Sequence, residues 1–137
     1  MSRYLLDTSA LMTLRDNEAG ADVVAALLYN ALQKSDTECF GSFISQMELL
    51  YRVWRDEGES AGRLAYEQCR ALPITWIFPD QSLLEKAAEV KATLSLSLAD
   101  AWIAATAISL DAILVHKDPE FEPVVCLQQR LPNKTQT

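Results

Sequence analysis

Short apolar runs and helix-period segments take turns along this 137-residue chain, and that alternation is the feature that most limits its fold. RYLLD (3–7) is an apolar run that stops at DTS, the pattern of a strand meeting a helix start. Residues 19–34 place apolar pairs at Val23/Val24, Leu27/Leu28 and Ala31/Leu32, the spacing of one helix face. ECFGSF (38–43) reads as extended, and ISQMELLYRVWRDEG (44–58) as a helix stopped by Gly58. Another helix follows over 60–72, ended by Pro73, and then a β-branched and aromatic strand, ITWIF (74–78). Pro79 opens a helix striped by Leu83/Leu84, Ala87 and Val90. LADAWIAATAISL (98–110) is apolar nearly all round, as in a buried helix. AILVH (112–116) and PVVCL (123–127) supply the last strands, and the polar stretch 128–137 is expected to be a flexible tail. Strands alternating with helices build a parallel sheet covered on both faces. The expectation is an α/β fold, a three-layer α/β/α sandwich around five parallel strands. No repeat or linker divides the chain, so it is read as one domain over 1–137.

Composition narrows the setting. Half of the residues are hydrophobic, enough for a core, yet charges interrupt every apolar run well short of a membrane span. The first residues, MSRYLLDTSALMTL, lack the unbroken apolar stretch of a signal peptide, which points to the cytoplasm. Cys39, Cys69 and Cys126 are odd in number and lie in apolar neighbourhoods, so reduced, buried thiols are expected rather than zinc ligands. The net charge of −7 argues against generic nucleic-acid binding, which needs excess Lys and Arg.

Most of the 19 acidic residues belong to solvated surface, but four fall in apolar surroundings at strand–helix junctions. Asp7 ends the first strand, Glu48 sits early in the helix after the second, Asp100 opens the buried helix, and Asp118 follows the fourth strand. In an open parallel sheet the carboxyl ends of the strands share one edge, where such folds place their sites. Each acid also has a plainer reading as a helix cap. Asp7 precedes Thr8 and Ser9, Ser45 to Glu48 and Ser97 to Asp100 resemble capping boxes, and Asp118 precedes Pro119. Four acids on one edge would repel one another unless a cation sat between them. A hard ion with oxygen ligands, Mg²⁺ or Mn²⁺, suits carboxylates without His or Cys partners. With one histidine in the chain, an HExxH zinc site is excluded.

YLLDTSALMTL, SQMELLYRV, LADAWIAATAI and ILVHKDPEF resemble, in order, the four acidic motifs of the PIN domain, and the likeness is closest to VapC-type toxins. It runs from about residue 3 to 126, and the first and third motifs are its most specific parts. The resemblance implies a PIN-like fold and Mg²⁺- or Mn²⁺-dependent hydrolysis of RNA, with one or two ions. It places the acidic quartet on Asp7, Glu48, Asp100 and Asp118, with Thr8 or Ser9 as a supporting hydroxyl and Glu120 where some members carry a further acid. It also implies a homodimer and a cognate antitoxin. One position departs from the pattern: where members commonly have Thr or Ser two residues before the last acid, this chain has His116. That imidazole either bonds a ligand carboxylate or phosphate, or packs at the strand end.

Within this reading Asp7 and Asp100 are the direct ligand candidates, Asp118 ligates directly or through water, and Glu48 ligates or positions the attacking water. RNA would need a local basic rim, for which Arg52, Arg55, Arg63, Arg70 and Lys117 are candidates against a solvated helix face. Tyr51, Trp54 and Tyr66 are candidates for the dimer contact or antitoxin groove, with core packing the alternative for Trp54 and Trp102. Other classes fit less well. A response-regulator receiver needs paired acids after strand 1, and only Asp80 after WIFP keeps it in view; a haloacid-dehalogenase-type hydrolase needs an acid where Ser9 stands. A PIN-like scaffold that binds without cleaving is the remaining alternative, and His116 is its main support.

Overall fold

The computed structural model of the chain describes residues 2–33 and 36–133. Five strands, β1 (Ser2–Leu6), β2 (Thr37–Ser42), β3 (Thr75–Ile77), β4 (Ile113–His116) and β5 (Gln128–Arg130), pair in parallel in the order β3-β2-β1-β4-β5. The helices between them are α1 (Thr8–Arg15), α2 (Ala21–Leu32), α3 (Phe43–Glu57), α4 (Glu59–Arg70), α5 (Gln81–Thr93) and α6 (Leu98–Leu110). A single 3-10 turn, Pro119–Phe121, follows β4. The expected α/β/α sandwich is therefore present.

Its two cores follow from the two-residue period of the strands. Leu5 and Leu114 enter one cluster, with Leu83, Ala87, Ile103 and Ala104 of α5 and α6. Their neighbours Leu6 and Val115 enter the other, with Leu11, Val24, Leu49 and Cys69 of α1 to α4. Burial on both faces is why the central strands read as unbroken apolar runs. The second helical layer is a tight hairpin in which Gly58, at φ 101°, breaks α3 from α4. At Gly62 a Cβ would lie 2.9 Å from the Trp54 backbone nitrogen, so only glycine lets α4 pack this closely on α3.

One expected strand is displaced. PVVCL (123–127) is not a strand: Val125 and Leu127 are 86% and 74% exposed, and β5 forms from the polar residues Gln128–Arg130. An edge strand needs only backbone pairing, and the apolar anchors here are Phe121, Val124 and Leu131, all buried. The stretch read as a tail thus begins inside the sheet; of it, 134–137 lie outside the described residues, as does the expected end of the first long helix at 34. Among the described residues no helix is long and apolar enough to cross a membrane.

Sheet order fixes where a site can form. From β1 the chain moves outward to β2 and β3 through helices on one face, then returns through α5 and α6 on the other to β4. The segments leaving β1 and β4 therefore diverge, opening a crevice at the carboxyl edge between them.

Candidate functional site

Asp7 is the first residue past β1 and the N-cap of α1; its Oδ1 accepts from the Ala10 amide at 2.8 Å and from the Ser9 hydroxyl at 2.7 Å. Both bonds land on one oxygen, so capping does not occupy Oδ2. The Ser9 oxygen also accepts from the Lys117 amide at 3.2 Å, which ties the start of α1 to the end of β4. Asp7 is almost fully buried, and burial, reinforced by the Asp100 and Glu48 carboxylates, pushes its pKa up to about 7.

Glu48 reaches the same crevice from α3. The cap of that helix is Ser42, the last residue of β2, so Ser45 and Glu48 are not a capping box. Instead the Thr8 hydroxyl lies 2.9 Å from Ser45 Oγ and 2.6 Å from Glu48 Oε1, and Arg52 Nη2 donates to Glu48 Oε2 at 3.0 Å. Thr8, Ser45 and Glu48 are all buried.

Asp100 lies in the first turn of α6, where Ser97 is the cap and accepts the Asp100 amide at 3.1 Å. Burial first, then the Glu48, Asp118 and Glu120 carboxylates, raise the Asp100 pKa to about 6. Asp118 caps the 3-10 turn through the Glu120 amide at 2.9 Å. Among the described residues, Asp100, Asp118 and Glu120 each bring an oxygen within 4.8 Å of the others. For Asp7, Asp100 and Asp118 the two sequence readings do not compete: each sits at a helix start, as a cap or beside one, and faces other acids because helix starts line this edge.

The excess of negative charge has a chemical meaning. Buried Asp7 and half-buried Asp100 are pushed toward neutrality, and three carboxylates converge with oxygen as their only donor atom. That set fits a hard divalent cation and offers nothing to a soft one. Asp100, Asp118 and Glu120 are the cluster able to hold it, with Asp7 at the neighbouring strand end.

His116 is buried and aims at neither a carboxylate nor open space. Its Nδ1 accepts from the Asp118 amide at 3.0 Å, so the proton sits on Nε2, which donates to Gln128 Oε1 at 2.9 Å. Burial holds its pKa below the usual value, which keeps the ring neutral. Of the two sequence readings, packing at the strand end is the one found.

The basic residues named from sequence all carry acidic partners. Arg52 meets Glu48, Arg55 meets Asp56, Arg63 meets Glu59, and Arg70 meets Glu67. Lys117, mostly buried rather than on a rim, meets Glu18 at 3.3 Å. The arginines of the helical hairpin also lie over rings, Arg55 on Tyr51, Arg63 on Trp54 and Arg70 on Tyr66. Trp54 is part-exposed, while Trp102 packs edge-on against Phe43. The cysteines are free, and burial lifts the Cys39 and Cys69 thiols to about 11.

The receiver reading ends with the topology. Asp80 caps α5 through the Leu83 amide, beyond the edge strand β3, and β1 pairs with β2 and β4 rather than β3.

The PIN domain family model matches residues 4–125. The chain belongs to the PIN domain family. Its PIN fold is similar to that of VapBC2 from Rickettsia felis, bound to a DNA fragment from its promoter, with TM-score 0.76, 16% identity, and 95% and 99% of the two chains covered. DNA-bound VapBC from Salmonella typhimurium gives TM-score 0.75 at 18% identity over 95% and 98%. VapC20 of Mycobacterium tuberculosis, a sarcin–ricin loop cleaving toxin, gives 0.71 at 17% over 93% and 98%. No curated protein sequence matches the chain.

Two residues of this PIN domain's site were not singled out from sequence. Ser45 was seen only as a cap, and its distance from Thr8 could not be read along the chain. Gln128 gave no signal, lying in the stretch taken for a tail.

Proposed function

We propose that this PIN domain is a metal-dependent endoribonuclease, hydrolysing RNA phosphodiester bonds as the toxin of a type II toxin–antitoxin pair. The observation that carries the reading is the gathering of Asp7, Glu48, Asp100, Asp118 and Glu120 from four separate segments at the crevice between β1 and β4. Family membership and the likeness in fold to VapC toxins, one of them a sarcin–ricin loop cleaving toxin, support it.

Asp7, Asp100 and Asp118, with Glu120 beside them, would hold one or two Mg²⁺ or Mn²⁺ ions. The chemistry supplied by a divalent ion there would be activation of water and neutralisation of charge on the scissile phosphate. Glu48, fixed by Thr8 on one oxygen and Arg52 on the other, orients the attacking water. Ser9 holds Asp7 in place. Arg55, whose exposed pairing with Asp56 is weak, is free to turn toward phosphate, while Arg52 stays on Glu48 and adds its charge there. Lys117 contributes to the same edge through its charge.

The partners proposed are RNA, a cognate antitoxin and a second copy of the chain, in the cytoplasm. Apolar side chains exposed on α3, α5 and α6, including Met47, Tyr51, Leu84 and Leu98, suit protein contacts.

The test is incubation with total RNA in Mn²⁺, in EDTA, and with Asp100→Asn in place of the wild type. Cleavage is expected only for the wild type with metal. Cutting that survives EDTA or the substitution sinks the mechanism.

A further inference from the structure

The turn that carries Asp118 and Glu120 is clamped from one side by a pair the proposed chemistry does not use. His116, the last residue of β4, accepts the Asp118 amide on Nδ1 at 3.0 Å and donates from Nε2 to Gln128 Oε1 at 2.9 Å. Gln128, the first residue of β5, spends its amide NH₂ on the carbonyls of Phe121 at 2.8 Å and Val124 at 3.2 Å. The Phe121 ring closes the circuit, its centre 5.0 Å from the imidazole. Every donor meets an acceptor, so ring and amide orientations are determined by one another.

A Thr or Ser at this position has one hydroxyl, enough for a local bond to the amide two residues on. An imidazole has nitrogens on opposite sides. One reproduces that local bond and the other reaches a second strand. The acidic turn is thereby tied to the sheet edge, while the surrounding 123–127 segment leaves Val125 and Leu127 in solvent and buries Val124 as its anchor.

We propose that His116 and Gln128 are positioning residues for metal binding, joining β4 and β5 so that the Asp118 and Glu120 carboxylates are held beside Asp100. This inference rests on the metal-dependent reading above.

Direct Mn²⁺ binding to the full chain without RNA, followed by electron paramagnetic resonance, tests it. Partners that orient ligand groups commonly alter metal affinity by about 10- to 100-fold, and His116→Phe and Gln128→Leu should each weaken Mn²⁺ binding by roughly 10-fold or more. The concentration of Mn²⁺ for half-maximal cleavage should rise in step, with much of the rate recovered at saturation. His116→Asn, which can keep an acceptor near the Nδ1 position but loses the bond to Gln128, should recover only part of the affinity lost in His116→Phe. A purely structural pair would lower the melting temperature and leave Mn²⁺ affinity of the folded protein unchanged, which overturns the inference alone. Gln128→Leu, at a less buried position, decides the matter if His116→Phe does not fold. A wild-type chain that binds no Mn²⁺ overturns the nuclease reading and this inference with it.

Discussion

A buried carboxylate with a pKa near 7 is costly to the fold, and Asp7 is such a group. Raised from 3.8 to about 7, it binds its proton more tightly folded than unfolded. Its contribution is fully present below about pH 4 and is lost as pH rises through about 7. Asp100, raised to about 6, adds the same trend over a narrower window. In EDTA, therefore, the wild type should melt higher at pH 5 than at pH 8. Asn caps helices as well as Asp does, so Asp7→Asn should stabilise the metal-free protein at pH 8 by about 1–2 kcal/mol, a common gain when a functional strain is relieved. That advantage should shrink toward pH 5, and melting curves with and without the substitution check it. A flat difference across this range contradicts the assignment. Thr8 makes a separate prediction. Thr8→Val leaves Ser45 and Glu48 without their shared partner, a loss of about 1–3 kcal/mol for buried groups. Cleavage should fall in kcat with KM little changed, and Thr8→Ser should restore it. Wild-type kcat in the valine variant would remove Thr8 and the Glu48 orientation from the mechanism.

At the scale of elements, legibility followed burial. α6 runs over Leu98–Leu110 as expected, because an all-round apolar helix has one place to go, between the sheet and α5. The strands β1 and β4 were equally plain, each feeding both cores. What hid was held by side-chain geometry instead of apolar pattern: β5, three polar residues long, and the Gln128 contacts that fold 119–127 back on itself. Val124, Val125 and Leu127 mimic a strand because β-branched and apolar residues favour one, yet only Val124 is buried. Likewise the Asp7 and Asp118 caps were readable, but their place on one edge needed the strand order. The helical hairpin gives this scale its test. A Cβ on Gly62 meets Trp54 backbone and Cβ at 2.9 Å and the Leu50 carbonyl at 3.0 Å, with backbone atoms that do not yield. Ala gains up to about 1 kcal/mol of helix propensity, but overpacking costs about 1–3 kcal/mol. Gly62→Ala should lower the denaturant midpoint while leaving the Mn²⁺ requirement of cleavage intact. A stabilised variant would show that α4 can move away from α3 without penalty.

For the whole molecule the open question is how a chain of net charge −7 meets its partners. Two copies repel at long range, over about 8–10 Å at ordinary salt, so the proposed self-association has to come from apolar contact. Met47 and Tyr51 on α3, Leu98 and Trp102 on α6, and Leu84 on α5 line adjoining grooves that supply such a face, next to Glu48. RNA is the opposite case, since its phosphates are drawn by cations, and the arginines nearest the crevice are paired with acids. Salt should thus act with opposite signs on the two events. Raising KCl from about 50 to about 300 mM should leave the dimer as tight or tighter in analytical ultracentrifugation, and should raise the KM for RNA, by a shallow slope if only one or two phosphates are contacted. Leu84→Gln with Leu98→Gln should give a folded monomer, because the two side chains are already 48% and 67% exposed and are not needed by the core. A chain that sediments as a monomer at every concentration removes the dimer, and a double variant that still dimerises places the copy elsewhere on the surface. A dimer that salt dissolves would mean that charges across the interface, and not this apolar face, hold the copies together.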